Sequence, residues 1–175
     1  YNNSTGSNCI PSTVVDNNSG FLPLQTKLLK KIQKAGIAPA TEMIIGTDGD
    51  TPASIRATAD FIIRNKIPIP KFYILTPLPG SEFYKEMKLK DRLLHEDYSK
   101  YTAASCVFKP IHFSPQELEK SYMDLYKKVF SFKNILYRTI FNKGILKNPT
   151  IYLFAFFSNL VYKKFINQGD APNIL

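Results

Sequence analysis

The sequence predicts an α/β fold: short parallel strands joined by crossover helices, followed by a helical C-terminal region. Three observations predict it. Two short apolar runs, at 40–47 and 72–75, read as buried strands. A helical pattern separates them, and strands joined by such a crossover lie parallel in one sheet. From Ser114 onward the apolar spacing is helical.

The elements follow in order. Residues 1–20 are rich in Asn, Ser and Gly and lack apolar periodicity, which reads as loop or a foreign leader. Leu24, Leu28, Ile32 and Ala35 recur at helical spacing, and Gly36 stops that helix. ATEMIIGT (Ala40 to Thr47) is the first strand, ended by TDGDTP. Asp50 or Thr51 can cap a helix whose first turn holds Pro52, where a missing N–H costs nothing. That helix runs to about Asn65, with Ile55, Ala59, Ile62 and Ile63 on one face. Phe72 to Leu75 is a second strand, closed by TPLPG, and Ser81 caps the next helix. Residues 95–113 are irregular, with a candidate strand at Ser105–Phe108. Ser114-Pro115-Gln116-Glu117 is a capping box that opens a helix to about Phe130, with Leu118, Tyr122, Leu125, Tyr126 and Val129 on one side. Ile135–Phe141 and Thr150–Phe165 are further helical stretches. The organisation is therefore 1–20, a strand-bearing part over 21–113, and a basic helical part over 114–175. Two strands alone do not make a stable sheet, so either strands are missing or another chain completes it.

Composition narrows the function classes. The chain has 175 residues, 44% hydrophobic and 21% charged, which is globular. A complete large β/α barrel needs about 200–250 residues. Cys9 and Cys106 cannot build a disulfide framework or a four-cysteine zinc site, which indicates a reducing, cytoplasmic compartment. His95 and His112 have no ligand-spaced partner. No apolar signal-peptide core opens the sequence. Net charge is +9, and eight basic residues with no acid lie between Leu125 and Gly169. The body is nearly neutral and the C-terminal part basic.

Two strand exits carry candidate chemistry. In GTDGDTP, Asp48 and Asp50 read either as a phosphatase-like Asp-x-Asp pair or as a turn with a helix cap. TPLPG reads as a stiff rim loop, because Pro77 cannot donate to a ladder. Ile151–Tyr162 is apolar nearly all round and flanked by Lys147, Lys163 and Lys164. It reads as a helix buried against the fold or a partner, or as one lying on a membrane surface through 145–165. Nucleic acid is not an expected partner, since the aromatics do not alternate with basic residues as a stacking platform requires.

EMIIGTDGDT, then FYILTPLPGSEFY, then DYSKY and VFKPIHFSPQELEKSY, in that order and spacing, resemble the C-terminal half of B12-binding radical S-adenosylmethionine enzymes. The subgroup resembled includes the anaerobic magnesium-protoporphyrin cyclase and hopanoid methylases. The resemblance covers Leu28 to Tyr162 and implies the last strands of a (β/α)6 partial barrel. Residues 40–47 would be the fifth strand and 72–76 the sixth. It implies S-adenosylmethionine contacts at Ile44, Gly46 and Thr47 and at Leu75, Thr76 and Pro77. It also implies a 4Fe-4S cluster and cobalamin in the parent enzymes, a small-molecule or lipid-like substrate, and radical methylation, cyclisation or oxidation. The cluster motif C-x3-C-x2-C is absent from this sequence, and so is a B12 domain. Tyr98 stands where the family often has Trp. The expectation is a truncated or excised segment, inactive alone, that lends adenosine contacts and pocket walls. The alternative is a non-enzymatic membrane-surface or partner-binding protein using the basic aromatic C-terminus.

Overall fold

The computed structural model describes residues 10–11 and 21–172. The order is β1 (Ile10–Pro11), α1 (Phe21–Lys34), β2 (Ala40–Ile45), α2 (Pro52–Arg64), β3 (Ile69–Ile74), α3 (Glu82–Leu89), α4 (Pro115–Val129), α5 (Phe132–Arg138) and α6 (Pro149–Gln168). Short 3-10 turns occupy Tyr98–Lys100 and Lys143–Leu146. The α/β class holds: β1, β2 and β3 form one parallel sheet in that order. Apart from Ile10–Pro11, the expected N-terminal loop and Cys9 lie outside the described residues.

Helix starts follow their caps. Thr51, not Asp50, caps α2: its Oγ1 accepts from the Ser54 N–H at 3.2 Å, and Ser54 Oγ accepts from the Thr51 N–H at 3.0 Å. Ser114 and Glu117 close the expected box on α4, with the Ser114 N–H donating to Glu117 Oε2 at 2.7 Å. α5 begins three residues earlier than its apolar spacing suggests and ends at Arg138. The candidate strand at Ser105–Phe108 is not one. Phe108 makes a single antiparallel bridge to Leu93, and no ladder forms.

Side chains alternate across the sheet with the two-residue strand period. Met43 and Ile45 of β2 and Phe72 and Ile74 of β3 are fully buried against the helical layer. α2 adds Ile55, Ala59 and Ile62 to that core, and α4 adds Leu118, Leu125 and Val129. The opposite face carries Glu42 and Ile44 beside Lys71 and Tyr73 and is only partly covered.

The two sides of the sheet are unequal. In a parallel strand one residue's N–H and C=O point to the same side, so Pro70, Phe72 and Ile74 address the outer edge of β3. Pro70 has no N–H to lose there. Phe72 donates to Tyr126 Oη at 3.0 Å, and its carbonyl accepts from Tyr126 at 3.0 Å and from Tyr122 at 3.2 Å. The Ile74 N–H donates to the Ala103 carbonyl at 2.7 Å. Just before the strand, the Pro68 carbonyl accepts from Arg138 at 3.1 Å and from Asn159 at 2.9 Å. No further strand can pair with this edge. On the other side, β2 meets only the two residues of β1 among the described residues. The apolar stripe of α1 is 37–54% exposed at Leu24, Leu28 and Ile32.

Arg138 is fully buried, and among the described residues no carboxylate pairs with it. Its guanidinium donates to the carbonyls of Ile67 at 2.6 Å and Val129 at 3.2 Å and to Asn159 Oδ1 at 2.8 Å, and it lies over the Phe130 ring. Burial pushes its pKa below the ordinary value.

Candidate functional site

The turn after β2 is organised by one carboxylate. Asp50 is fully buried, and its Oδ2 accepts from the N–H groups of Gly46 and Thr47 and from the Thr47 hydroxyl, each at 2.9 Å. Its Oδ1 accepts from Ser54 Oγ at 2.9 Å. Gly46 has φ +87, which favours glycine, and a Cβ there would stand 2.7 Å from Leu118 Cδ2 and force that side chain to shift. Asp48 is held by Arg92 as a bidentate pair, at 2.6 and 2.9 Å. That guanidinium holds the Asp48 carboxyl below the usual carboxylate range. The phosphatase-like reading of this pair therefore fails. One carboxylate staples a turn and the other clamps the segment after α3.

Beside the C-terminal ends of β2 and β3 lies a cleft of about 250 Å³. Ile44, Leu75 and Thr76, three of the six expected contact residues, line it. Gly46 and Pro77 are buried, and Gly46, Thr47 and Pro77 do not line the cleft. Gly46 and Thr47 spend their N–H groups on Asp50, so those donors do not face a ligand. Thr76 turns its hydroxyl back to the Ile74 carbonyl at 2.9 Å.

The structure adds Glu42, Tyr73, Leu78, Tyr101 and Ala103 to the walls. Two of these were within reach of sequence reasoning. Stepping back by two from Ile44 reaches Glu42, and stepping back by two from Leu75 reaches Tyr73. Because Glu42 pairs with Lys71 and Ile44 with Tyr73, Glu42 and Tyr73 lie diagonally across the strand pair on the same face. The pKa of the Tyr73 hydroxyl is raised, first by burial and then by the charge of Glu42. Tyr101 and Ala103 had no local signal. They come from irregular chain anchored by the Tyr101 hydroxyl on the His95 carbonyl at 2.8 Å and by the Ala103–Ile74 bond.

The cleft has apolar walls with a carboxylate and phenols at its edge. Such a site suits a flat heteroaromatic group carrying polar substituents. A metal site is not built from the same residues: among the described residues no three of His, Cys, Asp and Glu group to hold an ion. Cys106 is buried, donates to the Phe108 carbonyl at 3.1 Å, and has its thiol pushed up to about 11 by burial. It is a packed thiol, not a ligand.

The chain is an α/β protein with a cleft at its strand ends. The known proteins it is similar to are methyltransferases. Over 130 residues it is 33% identical to bacteriochlorophyllide d C-12(1)-methyltransferase of Chlorobaculum tepidum, a match covering 73% of this chain and 28% of that enzyme. It is 30% identical over 123 residues to bacteriochlorophyllide d C-8(2)-methyltransferase of the same organism, covering 70% of this chain and 27% of the other. An uncharacterised methyltransferase of Pyrococcus horikoshii is 28% identical over 123 residues, again 70% and 27%. The chain thus spans little more than a quarter of the length of these curated relatives. No family model matches it. No solved structure matches it either.

Proposed function

We propose that this chain forms the closing end of a methyltransferase's β/α barrel and supplies one wall of its S-adenosylmethionine site. The observation that carries the reading is the inequality of the two sheet edges. The β3 edge is sealed by tyrosines, Arg138 and Asn159, whereas on the other side β2 carries only the two residues of β1 among the described residues, and the exposed stripe of α1 offers apolar surface. Further strands would join on the β2 side, and the open sheet face would become the inside of a barrel.

In this reading Ile44 and Leu75 pack on the adenine, and the Glu42–Tyr73 pair faces its polar edge or the ribose hydroxyls. Tyr101 and Leu78 close the cleft against water. S-adenosylmethionine supplies the methyl group or the adenosyl fragment when bound. The names of the two Chlorobaculum relatives favour a tetrapyrrole-like acceptor over an aliphatic one. The sequence resemblance favours the radical, B12-dependent subgroup. The described residues do not fit a 4Fe-4S cluster, so in this reading cluster and cobalamin are held elsewhere and this chain contributes no ligand to either.

Photolabelling tests the adenosine wall. Irradiation of the chain with an 8-azidoadenosyl analogue of S-adenosylhomocysteine should label peptides covering 40–47 and 72–78, and excess S-adenosylmethionine should suppress that label. Label spread evenly over the chain, or unmoved by the competitor, overturns the assignment. Grafting the chain in place of the matching segment of the Chlorobaculum C-12(1)-methyltransferase tests the reaction. A folded graft should methylate its acceptor, and Ile44→Asp should abolish turnover.

A further inference from the structure

α6 has two apolar sides. Its inner side, Tyr152, Ala155, Asn159 and Ile166, is buried against the fold. At 100° per residue, Leu153, Phe154, Phe157 and Val161 fall on the opposite side, and each is between 42% and 62% exposed. An apolar groove of about 280 Å³ opens beside them, with Phe154 and Val161 in its wall together with Phe130 and Pro70. At the N-terminal end of α6 the preceding 3-10 turn adds Leu146, 86% exposed. Isolated exposed apolar residues are ordinary, but a continuous helix face of this kind marks a contact surface.

The charge around the face selects its occupant. Lys147 stands at its start and Lys163 and Lys164 near its end, and no acid occurs between Leu125 and Gly169. The same 3-10 turn contributes Lys143 to a pocket of about 330 Å³ that also collects Lys30, Lys34, Arg64 and Lys66, with no acidic residue in its lining. Lys66 is held below its ordinary pKa, first by burial and then by the charge of Lys143. Two copies of this chain meeting through the face would oppose like charges. An anionic surface meets the same charges favourably.

We propose that the outer face of α6 docks on an anionic lipid bilayer, with Leu153, Phe154, Phe157 and Val161 at the acyl boundary and the lysines on the headgroups. The helix lies in the interface and does not cross it: its inner side is part of the protein core, and none of the described helices is long and apolar enough to span a membrane. The inference does not depend on the methyltransferase reading.

The chain has no Trp, so Phe157→Trp gives a single reporter on the face. In the full chain its emission should shift to the blue with vesicles containing phosphatidylglycerol and stay unshifted with phosphatidylcholine alone. Lipids brominated high in the acyl chain should quench it. Lys163→Gln and Lys164→Gln should each weaken partitioning roughly 5-fold, and Val161→Glu should abolish it with the far-ultraviolet circular dichroism unchanged. An unshifted reporter with anionic vesicles overturns the proposal. So does a reporter already buried without lipid, in a dimer seen by sedimentation or in the grafted enzyme, because a second copy or another domain would then be the occupant.

Discussion

The hydroxyl of Tyr126 accepts from the Phe72 N–H and donates to the Phe72 carbonyl, 3.0 Å in each case. One phenol thus stands where a neighbouring strand would otherwise pair. Tyr126→Phe should orphan the Phe72 N–H, while Tyr122 still serves the carbonyl at 3.2 Å. The expected cost is about 1–3 kcal/mol, read as a lower urea midpoint with an unchanged slope. Tyr122→Phe should cost less, because Tyr126 remains on the same carbonyl.

Gly46 is constrained twice. Its φ of +87 disfavours any side chain, and an added Cβ would stand 2.7 Å from Leu118 Cδ2. Gly46→Ala should destabilise by more than the roughly 1–2 kcal/mol of the left-handed backbone alone. Adding Leu118→Ala should relieve the contact but not the backbone, giving a non-additive double-mutant cycle.

The Asp48–Arg92 pair gives a pH signature. The folded pKa of Asp48 lies below its ordinary 3.8, chiefly through the hydrogen bonds from Arg92. Its contribution is therefore complete above that value and lost as pH falls through the lower folded one. Asp48 is 48% exposed, so screening limits the pair to about 0.5–1 kcal/mol. Asp48→Asn should lower stability by that amount at pH 7 and converge with the parent chain as acid titrates the pair, measured by chemical denaturation at both pH values.

Cys106 should be inert while the chain is folded. Its thiol pKa is raised from 9.0 to about 11 by burial. The folded state then keeps a proton that the unfolded state releases, so stability should fall as pH rises from 9 towards 11. In a Cys9→Ser background, reaction with a disulfide reagent at pH 8 should be slow, and urea should accelerate it by orders of magnitude.

Much of this fold was legible because its signals are local. The Ser114 box, Thr51 with Pro52, and the apolar side of α4 each specify structure within one or two turns, and all three are found. β3, at Ile69–Ile74, begins before the apolar run Phe72–Leu75 that marks it in the sequence. Ile69 and Pro70 belong to β3 because proline is tolerated on an outer edge. The stripe of α1 is legible as a stripe, but its exposure is not. The cleft was half legible: strand period reaches Glu42 and Tyr73, whereas Tyr101 and Ala103 arrive through loop bonds without periodicity. Arg138 gave no warning of burial, because its partners Ile67 and Asn159 lie 71 and 21 residues away.

That arginine has a consequence for how the molecule opens. Its two terminal nitrogens keep their acceptors only when the lead-in to β3, the end of α4, and Asn159 of α6 are all in place. Fraying any one of them strands a cation among apolar side chains, at a cost larger than a single peptide hydrogen bond. Sub-global unfolding should therefore spare this trio or take it whole. Amide hydrogen exchange at Ile67, Val129 and Asn159 should report one shared opening energy, well above that of α1.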